Sequence, residues 1–226
     1  GKLEKVASLL EERSHDPAAI NEPSGFGFTP LHMAAGHGHA DVVKMLITKG
    51  AAVDILGDRG YTPLHLAALH GRSESINALL AAGAECNCVE LDGFYPIHLA
   101  ARAGHAKAVE LFIGVGVDPT LPGGPARSSP LHLAARFGHI ETAGVLLETA
   151  FDLQGKLALL NAEDANARTP LQVGVHKPEC QAHLRAILTD VQTRIEEAEK
   201  ALRLANKKGK KGGKGKGKAK GKGKKK

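Results

Sequence analysis

Apolar residues recur along this chain in short helical stretches separated by polar, glycine-rich turns. Thr62-Pro63-Leu64-His65-Leu66-Ala67-Ala68 predicts one such helix. Thr62 can cap it by accepting from a free N–H of the first turn. Pro63 fits the first helical position, where its missing N–H costs nothing. The two alanines let the helix lie close to its neighbours. After Gly71, Ile76, Leu79 and Leu80 mark a second helix, and Gly83 ends it where a positive φ is wanted. The same wording opens at Thr29, Tyr95 and Ser129, and in worn form at Thr169, with steps of 33, 33, 34 and 40 residues. Self-similarity near this period predicts stacked repeats that bury a common core between neighbours.

The copies differ in informative ways. Val42, Val43, Leu46 and Ile47 give the second helix of the first full repeat, and Val109, Leu111, Phe112 and Ile113 that of the third. Tyr95 stands where a capping hydroxyl belongs, so that helix should start about 1 kcal/mol less favourably. The turn Leu121 to Pro125 runs one residue long by the period, and about six or seven extra residues follow Thr149 around Phe151 to Leu157. The fifth copy lacks the His, the Ala pair and the Gly, as a terminal repeat can. Upstream, Leu3, Val6, Leu9 and Leu10 predict the second helix of an incomplete first repeat. Asn21 supports this, because it precedes Thr29 by the 8 residues that separate Asp54, Asn87 and Asn161 from their own helix starts.

This wording resembles the ankyrin repeat, whose hallmark is a Thr-Pro-Leu-His segment opening the first of two antiparallel helices. The resemblance covers about Leu3 to Leu188. It implies an all-α solenoid of helix-turn-helix units with β-hairpin loops, followed by a C-terminal helix and a disordered Lys/Gly tail. The expected division is a partial capping repeat and hairpin over 1–28, repeats over 29–178 starting near 29, 62, 95, 129 and 169, a long helix over 179–206, and the tail over 207–226.

In the long helix, Leu184, Leu188, Val191, Ile195, Ala198, Leu202 and Ala205 alternate steps of 4 and 3. This heptad seam predicts either a capping helix folded back on the array or a short coiled coil, through 184–205, with another copy or a partner. The tail holds 12 Lys and no acid, including Lys207, Lys208, Lys210, Lys211, Lys224, Lys225 and Lys226. With nothing to bury, it is expected to be disordered.

Charge changes the picture once the tail is set apart. The whole chain is +6, but residues 1–206 keep 18 Lys plus Arg against 24 Asp plus Glu, a net −6. The body is mildly acidic, and the tail could attract nucleic acid or an anionic surface through non-specific, salt-sensitive contacts. No aromatic interleaves its lysines, so there is no stacking platform for bases. No apolar run approaches a membrane span. The 3 cysteines fit a reduced, intracellular setting, in cytoplasm or nucleus. The chain begins at Gly1 rather than Met, so upstream sequence can be missing.

Catalytic and metal chemistry find little support. His32, His65, His98 and His132 are letters of the repeated motif, and the resemblance implies that they bond between adjacent repeats. His39, His105 and His139 follow the helix-ending Gly. Ligands one repeat apart do not converge as a metal site requires. Cys86 and Cys88 read as packing thiols. No P-loop, Gly-x-Ser-x-Gly or His-Glu-x-x-His is present. The expectation is a non-enzymatic adaptor without cofactor or metal. The resemblance also implies possible hydroxylation at Asn87, where Glu85-Cys86-Asn87 with Leu79 upstream matches wording favoured by asparaginyl hydroxylases.

The variable columns carry the binding expectation. The resemblance implies that partners bind a concave face lined by hairpin tips and first helices. The residue before each motif reads Phe28, Tyr61, Phe94, Ser128 and Arg168, and the pair after the alanines reads Gly36-His37, Leu69-His70, Arg102-Ala103 and Arg136-Phe137. The expected site is therefore Phe28, Tyr61, Phe94, His37, Leu69, His70, Arg102, Arg136 and Phe137, holding a protein partner with apolar anchors and some acidic residues. The alternative is a nucleic-acid or ribosome-associated factor acting through the tail.

Overall fold

A computed structural model describes residues 19–25, 27–149 and 152–212. Among them are eleven α-helices. Four antiparallel pairs follow the repeat: α1 (Pro30–His37) with α2 (Ala40–Thr48), α3 (Pro63–Leu69) with α4 (Ser73–Ala81), α5 (Pro96–Ala103) with α6 (Ala106–Gly114), and α7 (Pro130–Phe137) with α8 (Ile140–Glu148). Then come α9 (Leu153–Asn161), α10 (Pro170–Val173) and α11 (Pro178–Gly212). First helices stack on first helices and second on second, so one continuous core runs the length of the array. Leu31, Leu64, Ile97 and Leu131 occupy it from the first helices; Leu46, Leu79, Phe112 and Leu146 occupy it from the second.

The connecting loops are hairpin-shaped turns rather than strands. Each closes with an N–H to C=O bond between equivalent residues: Gly57 to Tyr61 at 2.8 Å, Glu90 to Phe94 at 3.2 Å, Asp164 to Arg168 at 3.0 Å. The turn of the fourth repeat is the long one, and there Gly123 and Ser128 exchange two bonds as an isolated antiparallel bridge. Neighbouring tips are joined by Leu91 N–H to Arg59 O, Gly124 N–H to Gly93 O and Ala165 N–H to Ala126 O, at 2.8–2.9 Å.

The motif histidines fasten each repeat to the next. His32 Nδ1 accepts from the Thr29 backbone N–H at 3.2 Å. That bond requires an unprotonated Nδ1, so Nε2 carries the proton and donates to Tyr61 O at 2.8 Å. His65 is held in the same way between Thr62 and Phe94 O, and His132 between Ser129 and Arg168 O. His98 reaches Ser128 O at 3.0 Å and Leu121 O at 2.9 Å. Its Nδ1 is buried without a partner among the described residues, and Tyr95, unlike the Thr or Ser of the other copies, makes no side-chain bond at this cap. In the last repeat Gln172 replaces the His and accepts from Thr169 N–H at 2.8 Å, which preserves the cap.

A second ladder ties the helix ends. Arg72 Nε donates to Gly36 O, His105 Nε2 to Leu69 O and His139 Nε2 to Arg102 O, at 3.0–3.2 Å. The preceding glycines make room for it. A side chain at Gly71 would lie 2.5 Å from the His105 ring, and one at Gly104 would lie 2.4 Å from the His139 ring. Both glycines also hold a positive φ.

The C-terminal part departs from expectation. The extra residues after the fourth repeat form α9, capped by Asp152, whose carboxylate accepts from Gly155 N–H. This helix packs on α11. The front of the heptad seam is thereby used within the chain: Leu184 and Val191 are buried, Leu188 and Ile195 half-buried, and Ala198 exposed. The helix continues to Gly212, so that Lys207, Lys208, Lys210 and Lys211 belong to its last turns. The predicted helix over Leu3 to Leu10 and Lys224, Lys225 and Lys226 lie outside the described residues.

The ladder sets a pH dependence. Burial is the main cause that holds His65 and His98 down to about 4, outweighing their bonds to carbonyls. His32 and His132 are lowered for the same first reason. A histidine with a depressed folded pKa resists protonation that the unfolded chain accepts. Stability is therefore full above about pH 6.5 and falls as pH drops toward about 4, by about 1.4 kcal/mol per pH unit for His65 and for His98, with His32 and His132 adding in the same direction. Urea unfolding across this window should show that slope, and His65→Gln, the replacement already present at Gln172, should flatten it.

Candidate interaction face

The first-helix residues that follow the paired alanines point away from the core, and the two ladders fix their backbone. Tyr61 O, Phe94 O and Arg168 O accept from the first ladder; Gly36 O, Leu69 O and Arg102 O accept from the second. Helices α3 and α5 are thus held at both ends, and α1 at its C-terminal end, before any partner arrives.

Phe28, Tyr61 and Phe94 are half-buried rather than exposed. Each ring lies beside the histidine of its own motif, with centroids 5.5 Å apart for Phe28 and His32, 5.9 Å for Tyr61 and His65, and 6.1 Å for Phe94 and His98. Phe28 also rests on Gly57, and Phe94 on Gly124, of the next turn. The aromatic column therefore covers the histidine ladder with one side and offers the other to solvent. Burial, with the nearby Glu90 carboxylate, raises the Tyr61 phenol above its ordinary range.

The other candidates are better exposed. His37, His70, Arg102, Arg136 and Phe137 are exposed and Leu69 is half-buried. They fall into two groups. Near the N-terminal end, Phe28, Met33, Gly36, His37, Leu66 and His70 line a largely apolar cleft of about 460 Å³. Gly36 opens it: in the next two repeats Leu69 and Arg102 hold this column, and Leu99 and Leu133 are buried, whereas Met33 remains 46% exposed. Sequence reasoning passed over Met33 and Leu66 because they occupy the motif's own fifth letter. Burial, then the charge of Arg72, lowers His70, so an uncharged ring borders the cleft. At the other end, Phe137 has two guanidinium groups near its ring, Arg102 at 5.7 Å and Arg136 at 6.0 Å from the ring centre.

The remaining reactive side chains are committed elsewhere. Both nitrogens of His32, His65 and His132 are hydrogen-bonded, which leaves no lone pair for a ligand. Cys180 lies in the core, and burial pushes the Cys86 and Cys88 thiols up, away from the reactive thiolate. Asn87 is exposed in the turn after Cys86. No described helix is long and apolar enough to cross a membrane.

The family model described as "Ankyrin repeats (3 copies)" matches residues 1–90, 76–156 and 97–196. Among curated proteins, alpha-latrocrustotoxin-Lt1a of Latrodectus tredecimguttatus is 47% identical over 58 residues, 26% of this chain and 4% of the toxin. Transient receptor potential cation channel subfamily A member 1 of Homo sapiens is 43% identical over 51 residues, 23% of this chain and 4% of the channel. The likeness thus extends over a small part of each relative's length.

Gly36 is the penultimate residue of α1 and does not hold a positive φ, and a Cβ there would meet Leu66 Cβ at 3.4 Å and the His70 ring at 3.6 Å. Gly36→Ala should therefore raise stability by up to about 1 kcal/mol through reduced chain entropy, read as a higher urea midpoint with an unchanged m-value.

Proposed function

Because the chain belongs to the ankyrin-repeat family, whose members generally mediate protein–protein interaction, we propose that it is a non-enzymatic adaptor whose first-helix face holds a protein partner. The observation that carries this reading is the cleft at Gly36. It offers contiguous apolar surface from Phe28, Met33 and Leu66 on helices that the two ladders already fix. Preorganised apolar pockets suit anchor side chains, since little ordering cost remains at binding. The half-buried rings of Phe28, Tyr61 and Phe94 extend this surface along the turns.

Substituting those three rings would also strip cover from the histidine ladder, so the cleft is better tested at its open side. A peptide-display selection on the full chain should yield binders that Gly36→Leu and Met33→Asp each weaken about tenfold or more, the worth of one buried apolar anchor. Binders that ignore both substitutions, or a selection that yields none, would count against the cleft as the partner site. Circular dichroism and the urea midpoint should stay within the range of a folded array.

A further inference from the structure

The partner's chemistry can be read from the charge on this face. None of the five first helices contains Asp or Glu. Acids lie on the second helices, at Asp41, Glu74 and Glu141, and in the turns. Glu90, one of two carboxylates that act on the Tyr61 phenol, is nearly buried and accepts from Asp92 and Phe94 N–H. The other, Asp92, is paired with Arg59 at 2.7 Å. The positive charge on the face has no such outlet. Neither Arg102 nor Arg136 takes part in the ion pairs or side-chain hydrogen bonds among the described residues.

Resting on the adaptor reading, we infer that Arg102, Phe137 and Arg136 form a carboxylate-binding platform, and that the partner is a peptide segment with an apolar residue that enters the Gly36 cleft and an Asp or Glu farther along it that reaches the platform. The ring lies within cation–π range of both guanidinium groups, with Arg102 Cζ 5.7 Å and Arg136 Cζ 6.0 Å from its centre. Their N–H edges stay available, and that planar fork matches a carboxylate with two parallel bonds. His139 fixes the Arg102 backbone by bonding its carbonyl at 3.0 Å. An apolar anchor at one end and an anion at the other would give the bound segment a direction.

The test uses the peptides selected on the full chain, measured by fluorescence anisotropy against the full chain and two variants. The variants are the double change Arg102→Gln with Arg136→Gln, and Phe137→Ala. All three side chains are exposed, so the array should keep its fold. Keeping the tail in every protein cancels attraction of acidic peptides to its lysines. Peptides sensitive to Gly36→Leu should be enriched in Asp or Glu, lose about tenfold or more in affinity with the double variant, and lose less with Phe137→Ala. Gly36-sensitive peptides without acidic residues, or acidic ones indifferent to the double variant, would overturn the platform while leaving the adaptor reading intact. A selection without Gly36-sensitive peptides would overturn both. A single-stranded RNA oligonucleotide that displaces the peptides from the full chain, and whose retention the double variant abolishes, would assign this surface to nucleic acid and overturn the carboxylate proposal.

Discussion

A neutral imidazole bonded at both nitrogens is the interaction on which this structure depends. In His32, His65 and His132, Nδ1 accepts from the start of its own helix and Nε2 donates to the next repeat. One side chain thus caps a helix and joins two repeats. Each such bond is worth about 1 kcal/mol net, which is small against the apolar core. The ladder's larger contribution is registry. Leaving any of these buried polar atoms unpaired would cost more than the bond gains, so sliding one repeat against another is penalised at every step. His98 shows the limit: its Nδ1, at the copy where Tyr95 replaces Thr or Ser, has no partner among the described residues, and the rest of the stack tolerates it.

Registry in turn prepares the face. The carbonyls that the two ladders hold belong to the residues in front of each motif and just behind its alanines. Those positions are free to vary because only their backbone is used for stacking. Function can therefore change by substitution in these columns without disturbing the array. In this chain the columns provide a glycine-opened apolar cleft at one end and two arginines around a phenylalanine at the other.

The paired helices, their caps and the motif histidines were legible in the sequence because repetition separates shared letters from variable ones. Three features were not. Helix α9 was hidden in what looked like a long connection, although Asp152 followed by Leu153, Leu157 and Leu160 carried a cap and an apolar stripe. Phe28, Tyr61 and Phe94 were expected as partner-site residues, but Gly57 and Gly124 of the following turns let the rings of Phe28 and Phe94 settle onto the stack. The Gly36 cleft was missed because an absent side chain gives no signal by itself. Comparing Gly36 with Leu69, Arg102 and Arg136 in the same column could have revealed it.

The central claim is the protonation state of the ladder, and it can be read directly. Long-range proton–nitrogen correlation spectra of the imidazoles, recorded about one pH unit below the ordinary histidine value, should show His32, His65, His98 and His132 neutral, with the proton on Nε2. Imidazolium signals or Nδ1-protonated rings at these four positions, in a chain that remains folded, would contradict the account.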